Sequence, residues 1–242
     1  MIRKIKFDPK KFKFKQIINH HFKKKFKVNF EKLHLNTCVK NLNLKNRFKK
    51  IERPIYKLNH DYFNVKNDQA NLLTNYFYKI DPYFNMKNKI LKKGKFINTY
   101  RKLIYFLENE IFKEKIIFQK RPTLRIQLHE TISVGGYHRD HDYGHPKESI
   151  NFWLPFCNTK KTNTLWIESK KNLNDFRPKK VKYGEILTFD SSLKHGVELN
   201  KENLTRISMD FRIIRKKDYK NYKTFSPKNK IRFNLGNYYD EF

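Results

Sequence analysis

The chain has 242 residues with a formal net charge of +32, and 16% of its residues are aromatic. It contains no run of about 20 apolar residues, and its first segment, MIRKIKFDPKKFKFK, has neither an apolar core nor a small-residue cleavage site, so we expect neither a membrane span nor a secretory signal. Cys38 and Cys157 lie far apart and form no metal or redox motif, which predicts a reduced, cytoplasmic protein.

The excess of basic residues has two possible origins. Lysine is abundant along the whole chain together with Asn, Ile, Phe and Tyr, whereas Ala70 is the single alanine. This bias is typical of A/T-rich codon usage, and the lysines are not gathered into the single stripe that a nucleic-acid surface favours. We therefore assign most of the lysine excess to codon usage and not to a nucleic-acid surface, and expect a residual, salt-sensitive attraction for anions.

Two amphipathic helices are predicted in the first half of the chain, over residues 68–78 and 96–112, because apolar residues recur there at spacings of three and four. The clearest apolar stripe consists of Ile104, Phe106, Leu107 and Ile111. We interpret both helices as packing elements. The chain is predicted to be a single domain, 1–242, with a helical N-terminal support region (1–115), a β-rich core (116–215) and a C-terminal tail (216–242).

From about residue 124 to residue 214 the apolar period changes to two, which indicates short strands with two different faces. The apolar members of the clearest strands are Leu124, Ile126, Leu128, Ile150, Phe152, Leu154, Leu165, Ile167, Ile207, Met209 and Phe211. The opposite faces carry Arg, Gln, Asn, Trp, Glu and Ser but little lysine. Because a solvent face of this chain should be rich in lysine, we expect these faces to line a shared polar cavity inside a sandwich or jelly roll.

A possible metal site begins at His138 and Asp140, which are two positions apart and therefore point the same way in an extended chain. His195 follows 55 residues after Asp140 and can approach from another strand. Two histidines and one carboxylate leave half of an octahedron open, which suits non-haem Fe(II). A structural zinc ion is more often enclosed by four protein ligands.

A possible carboxylate clamp follows at Arg206, eleven residues after His195, with Ser208 two positions further on the same strand face. The planar fork of a guanidinium group matches the two oxygens of a carboxylate. Arg125 and Gln127 are predicted to face the same cavity from an earlier strand, where they either contact a cosubstrate or make structural hydrogen bonds.

Five segments carry a family resemblance. They are VGGYHRDHDYGH (134–145), ESINFWLP (148–155), NTLWIES (163–169), LKHG (193–196) and TRISMDFR (205–212). Together, over residues 81–219, they resemble the streptomycin-biosynthesis-type branch of the Fe(II)/2-oxoglutarate-dependent dioxygenase superfamily.

The resemblance implies a mainly β double-stranded β-helix (a cupin-like jelly roll) that N-terminal helices support. It implies Fe(II) bound by His138, Asp140 and His195, and 2-oxoglutarate held by Arg206 and Ser208, with dioxygen as the second cosubstrate. The implied reaction is hydroxylation, or a related oxidation, of a small polar metabolite such as an amino acid, amine or sugar derivative in a biosynthetic pathway, with release of succinate and carbon dioxide.

The remaining candidates concern the substrate and alternative ligands. The predicted inward-facing residues with a possible substrate role are Asn151, Trp153, Trp166 and Glu168, joined by Tyr143 in the loop after Asp140. The alternative ligands are His129, His141, Asp142 and His145, which we expect to be loop residues because Gly144 and Pro146 disfavour a helix there. Two other functions stay open: an oxygenase that acts on nucleic acid or protein, and a non-catalytic cupin-like binding protein.

Overall fold

The computed structural model describes residues 2–40, 94–132, 136–225 and 231–242. The helix predicted over residues 68–78 lies outside these ranges, as do Val134 and Gly135 of the first motif. Within the described part, no helix combines the length and apolarity needed to cross a membrane.

Three α-helices are described. They are α1 (Phe14–Phe26), α2 (Thr37–Lys40) and α3 (Lys95–Phe106). A π-helix (Leu107–Phe112) continues α3 directly, so the helical prediction for residues 96–112 is confirmed. Helices α1 and α3 bury one side each, since their periodic apolar residues pack into the main hydrophobic core.

Ten strands are described. They are β1 (Arg3–Lys6), β2 (Ile116–Gln119), β3 (Thr123–Gln127), β4 (Ile150–Pro155), β5 (Leu165–Ile167), β6 (Arg177–Pro178), β7 (Glu185–Asp190), β8 (His195–Val197), β9 (Arg206–Arg215) and β10 (Tyr239–Asp240). In the described residues, seven strands form a larger sheet in the order β1-β7-β4-β9-β2-β10, with β3 also paired to β9, and β6-β5-β8 form a smaller sheet. All of these pairs are antiparallel.

The larger sheet has a helix-covered face and an inner face. On β9, Met209 and Phe211 belong to the core that α1 and α3 complete. The alternate residues of β9 point the other way and line a cavity with residues of the smaller sheet. A second apolar cluster joins Trp153 and Leu187 of the larger sheet to Leu165 and Ile167 of the smaller one. The two sheets therefore face each other, and the mainly β jelly-roll prediction is confirmed.

The ends of the chain also contribute strands. Strand β1 pairs with β7 at one edge of the larger sheet, and β10 pairs with β2 at the other. The C-terminal segment adds a small apolar cluster in which Phe233 and Tyr239 pack against Ile117 and Ile214. The division of the chain into support region, core and tail stays a prediction.

Candidate functional site

The backbone itself brings His138 and His195 together. The two residues form an antiparallel bridge in which each backbone N–H donates to the other carbonyl, at 3.0 Å and 2.9 Å. Their ring centroids are 4.7 Å apart. The bridge adds the backbone at His138 to the smaller sheet, next to β8. This backbone pairing places the two imidazoles beside each other.

Asp140 completes a group of three possible ligands. It is the first residue of a 3₁₀ helix (Asp140–Tyr143) and follows the extended residue Arg139, so its carboxylate stays on the side of His138. Asp140 Oδ1 lies 3.6 Å from His138 Nε2 and 3.9 Å from His195 Nε2. One potential ligand atom from each of the three residues lies within 4.8 Å of the others.

Hydrogen bonds orient the two imidazoles. His138 Nδ1 lies 2.7 Å from the Gly136 carbonyl oxygen, and His195 Nδ1 lies 3.0 Å from that of Leu193. A carbonyl only accepts, so each Nδ1 carries a hydrogen, and Nε2 is the nitrogen that each ring can offer to a metal on the side of Asp140. Burial lowers the pKa of His195 to about 4, which keeps that ring neutral at neutral pH.

The second oxygen of Asp140 is held by Arg212, a residue whose role was missed at the sequence level. Arg212 Nε and Nη2 both donate to Asp140 Oδ2, at 3.0 Å and 2.8 Å. Burial alone would raise the pKa of Asp140, but Arg212 and the nearby histidines hold it well below its ordinary value. The carboxylate is therefore ionised, with Oδ1 facing both Nε2 atoms.

These donors suit a divalent transition metal. Two imidazole nitrogens and one carboxylate oxygen on one side of a site form the arrangement that non-haem Fe(II) proteins use, with the remaining coordination positions open. His129, His141, Asp142 and His145 are not part of this group. His145 packs against Phe233, with ring centroids 4.3 Å apart, and His129 Nδ1 lies 3.1 Å from the Glu202 carbonyl oxygen.

Arg206 lies next to the possible metal site as a buried cation. It is 1% exposed, its guanidinium carbon lies 5.5 Å from the Trp153 ring centre, and Nη1 donates to the Asn163 carbonyl. Its Nε has no hydrogen-bond partner, and neither does the hydroxyl of Ser208, which is fully buried. Burial lowers the pKa of Arg206 to about 10, so the group stays charged at neutral pH.

A buried charge of this kind needs compensation. No carboxylate in the described ranges forms an ion pair with Arg206. Arg206 Nε and the Ser208 hydroxyl, two positions apart on β9, are therefore both left without a hydrogen-bond partner.

The structure separates the two further cosubstrate candidates. Arg125 lines the cavity and pairs with Asp210, Nε to Oδ1, at 3.0 Å. Gln127 is also buried, but its amide nitrogen donates to the carbonyls of Thr131 and Glu198. These two bonds tie β3 to two loops, whereas Gln127 Oε1 has no hydrogen-bond partner.

Among the substrate candidates, Asn151 and Trp153 line the cavity. Asn151 is 4% exposed, and both polar atoms of its amide lack a hydrogen-bond partner. Tyr143 lies beside the possible ligands, with its ring edge-on to His138 at 5.2 Å between centroids. These three residues are therefore positioned to contact a ligand of the site.

The prediction that Trp166 and Glu168 share this inner face is wrong. The smaller sheet turns the alternate residue, Leu165, towards the cavity, and Trp166 lies in a separate surface depression with Tyr137 and Phe176. The Glu168 carboxylate accepts hydrogen bonds from the backbone N–H groups of Lys194 and Asn174, and these bonds hold the neighbouring loops together.

Comparisons with known proteins identify a sequence relative and several solved structures. No protein-family model matches the sequence. The streptomycin biosynthesis protein StrG of Streptomyces griseus is 34% identical over 144 residues, which cover 59% of this chain and 68% of StrG.

The solved structures that resemble the chain are more distant. They include a nickel complex of the non-haem monooxygenase ThoJ (TM-score 0.38, 13% identity, 50% of each chain covered). The 2-oxoglutarate-dependent epimerase SnoN of nogalamycin biosynthesis has a TM-score of 0.40 at 12% identity, with 49% of this chain and 57% of SnoN covered. EvdO2 of Micromonospora carbonacea in complex with 2-oxoglutarate has a TM-score of 0.38 at 11% identity, with 57% and 64% covered. The chain thus spans between half and two thirds of these structures.

Proposed function

Because the chain belongs to the family of the streptomycin biosynthesis protein StrG, we propose that it is an Fe(II)- and 2-oxoglutarate-dependent oxygenase that oxidises a small polar metabolite in a biosynthetic pathway. One observation carries the proposal. The two histidines of a His-Asp-His group line the same cavity as a buried arginine that has no carboxylate partner in the described residues. The two histidines and the carboxylate suit iron, and the buried arginine suits a cosubstrate with two negative charges.

His138, Asp140 and His195 would hold the iron through His138 Nε2, His195 Nε2 and Asp140 Oδ1, the atoms that already face one another. When bound, iron and 2-oxoglutarate together supply the activation of dioxygen that oxidises the substrate and yields succinate and carbon dioxide. The protein contributes the ionised carboxylate of Asp140 and the neutral imidazole of His195, so neither of these two ligands has to lose a side-chain proton when the metal binds near neutral pH.

Arg206 and Ser208 would bind the outer carboxylate of 2-oxoglutarate. Both present donors that no group in the described protein satisfies. Arg125 lies opposite Ser208 in the β3–β9 pairing and adds positive charge to this end of the cavity. The Trp153 ring under the Arg206 guanidinium limits its rotation and keeps water from its face.

The substrate would approach from the side of Tyr143 and Asn151. The cavity has only about 60 Å³ of accessible space, which is too little for a cosubstrate and a substrate together, so we propose that the substrate binds at its opening. The amide of Asn151 offers a donor and an acceptor, so it suits a ligand with hydroxyl, amino or carboxyl groups. We propose an amino acid, an amine or a sugar derivative as the substrate class, and hydroxylation as the simplest outcome.

Two further predictions remain proposals beside this one. The helical residues before the β-rich core and the tail after it are proposed to support a single catalytic domain. A cytoplasmic location is proposed from the cysteine usage alone.

Succinate formation tests this function. The purified protein, supplied with Fe(II), 2-oxoglutarate and oxygen, is screened for succinate release over a library of amino acids, amines and sugar derivatives, with His138→Ala as the matched inactive control. We expect one class of small metabolite to stimulate succinate release by the parent protein and not by the variant. Stimulation by methylated oligonucleotides or by peptides instead would replace the small-metabolite proposal with an oxygenase of macromolecules.

A further inference from the structure

We infer that Arg212 is a positioning residue for the metal centre, which fixes Asp140 so that it binds a metal through Oδ1 alone. This inference rests on the proposed function, because it takes His138, Asp140 and His195 to hold a metal. The geometry is direct. Arg212 places two donors on Asp140 Oδ2, while Oδ1 is the oxygen that faces both histidine nitrogens.

Arg212 is itself held on several sides. Its Nη1 donates to Asp210 Oδ2 at 3.0 Å and to Gln119 Oε1 at 3.2 Å. Gln119 is the last residue of β2, and Asp210 lies two residues before Arg212 on β9. A guanidinium with this many partners has little freedom to follow the carboxylate if Asp140 moves, so it determines where the carboxylate lies.

The same contacts connect the metal site with the cosubstrate end of the cavity. Arg125, Asp210, Arg212 and Asp140 form a continuous chain of alternating charge, with ion pairs of 3.0, 3.0 and 2.8 Å. Each buried charge in this chain has a neighbour of opposite sign. Arg206 stands outside the chain, which leaves its charge for the cosubstrate, while Arg212 is committed to Asp140.

The alternative is that Arg212 only stabilises the fold as one member of a buried ion pair. The two roles differ in what the folded protein does with a metal. A positioning role predicts weaker metal binding and a changed coordination geometry, since Asp140 without Arg212 is free to rotate and to bind through both oxygens. A purely structural role predicts lower stability with unchanged binding by the folded molecules.

Cobalt(II) binding separates these roles without any turnover. The full chain is stripped of metal and titrated with Co²⁺ under anaerobic conditions, and affinity and the visible absorption of bound cobalt are measured. Loss of a partner that orients a metal ligand typically weakens metal binding by about 10- to 100-fold. We expect a rise of that size in Kd for Arg212→Gln with an altered cobalt spectrum, and a smaller rise for Arg212→Lys, which keeps the charge but loses the fork.

The control is Arg215→Gln, on the same strand, because Arg215 pairs with Glu114 and not with a possible metal ligand. Wild-type affinity and spectrum in folded Arg212→Gln would overturn the inference. If that variant does not fold, Gln119→Met removes one anchor of Arg212 and leaves the ion pair. Gln119→Met should raise the Kd for Co²⁺, but by less than Arg212→Gln. If Gln119→Met and Arg212→Lys both bound Co²⁺ like the wild type, the inference would also be overturned. Failure of the parent protein to bind cobalt would instead reject the metal site itself, and both proposals with it.

Discussion

At the scale of single residues, two residues that line the cavity, Arg206 and Asn151, carry buried polar atoms without partners. Arg206 Nε, Ser208 Oγ and both amide atoms of Asn151 are buried without a hydrogen bond. An unsatisfied buried group costs about 1–3 kcal/mol, so this collection destabilises the ligand-free protein. Such a cost is typical of a site that a ligand completes.

Asn151→Leu tests this interpretation by separating stability from function. The change removes two unsatisfied polar atoms at nearly constant volume, so we expect the free energy of unfolding of the ligand-free protein to rise by about 1 kcal/mol. We expect kcat/KM to fall, because the bound ligand loses a donor and an acceptor. Chemical denaturation and steady-state kinetics measure the two effects.

Asn200→Leu is the matched control for this prediction. Its amide nitrogen donates to the carbonyls of Leu128 and Leu204, at 3.1 Å and 2.8 Å, so the same replacement should destabilise the protein by about 1–3 kcal/mol. If Asn151→Leu destabilised the protein as much as Asn200→Leu, Asn151 would be a structural hydrogen-bonding residue.

Residue spacing predicted part of this site and could not predict the rest. The alternation along β9 indicated that Arg206, Ser208, Asp210 and Arg212 share a face, and the cavity confirms three of these four positions directly. The ion pair between Arg212 and Asp140 joins residues 72 positions apart. Such a contact depends on how the 3₁₀ helix packs against the sheet, and no local pattern contains that information.

At the scale of secondary-structure elements, two errors have clear physical causes. In β5 the residues at both faces are apolar or aromatic, so their alternation does not define the inner face. The pairing with β8 decides which face of β5 is the inner one, because Trp166 lies opposite Gly196. A Cβ atom at Gly196 would lie only 3.0 Å from Tyr137, so Tyr137 would have to shift. The missing side chain allows Tyr137 to pack on the outer face, beside Trp166.

The predicted apolar stripe at the end of α3 failed at one position. Ile104 and Leu107 are buried as expected, but Ile111 is 42% exposed. Residues Leu107–Phe112 form a π-helix, whose hydrogen bonds span five residues and not four. The wider turn rotates Ile111 away from the face that an ideal α-helix would give it.

The C-terminal segment yields a prediction about pH. Phe233 and Tyr238 pack against His145, and burial lowers the pKa of that histidine to about 3. In the unfolded chain the His145 imidazole takes up a proton below about pH 6.5, whereas in the folded protein it does so only near pH 3. His145 therefore contributes stability above about pH 6.5 that is lost progressively as the pH falls towards 3.

Between pH 7 and pH 5, we expect the free energy of unfolding to fall less for His145→Phe than for the parent protein. The difference between the two decreases should be about 2 kcal/mol. Urea denaturation of the metal-free protein at the two pH values measures the difference. His20→Phe, at an exposed position on α1, should keep the pH dependence of the parent. Equal pH dependence in all three proteins would show that His145 is accessible to protons in the folded state.

At the scale of the whole molecule, helices cover one face of the larger sheet and leave its polar inner face to the site. The chain carries 55 basic and 23 acidic residues, yet the charged residues that line the cavity are histidine, arginine and aspartate, with no lysine among the described lining residues. The lysine-rich excess of basic residues in the whole chain is therefore distinct from the charged side chains that line the cavity. This separation supports a small anionic cosubstrate and gives no support to nucleic acid.

The proposed function requires that a metal and 2-oxoglutarate bind together in this cavity. Anaerobic addition of Fe(II) and 2-oxoglutarate to the protein, followed by visible absorption, measures this directly. We expect a weak metal-to-ligand charge-transfer band that His138→Ala abolishes. Arg206→Ala should require about 10- to 150-fold more 2-oxoglutarate to reach the same band, because one charge-assisted contact is lost, with iron binding unchanged. A folded parent protein that gives no band, or a band that does not depend on His138, would contradict the account.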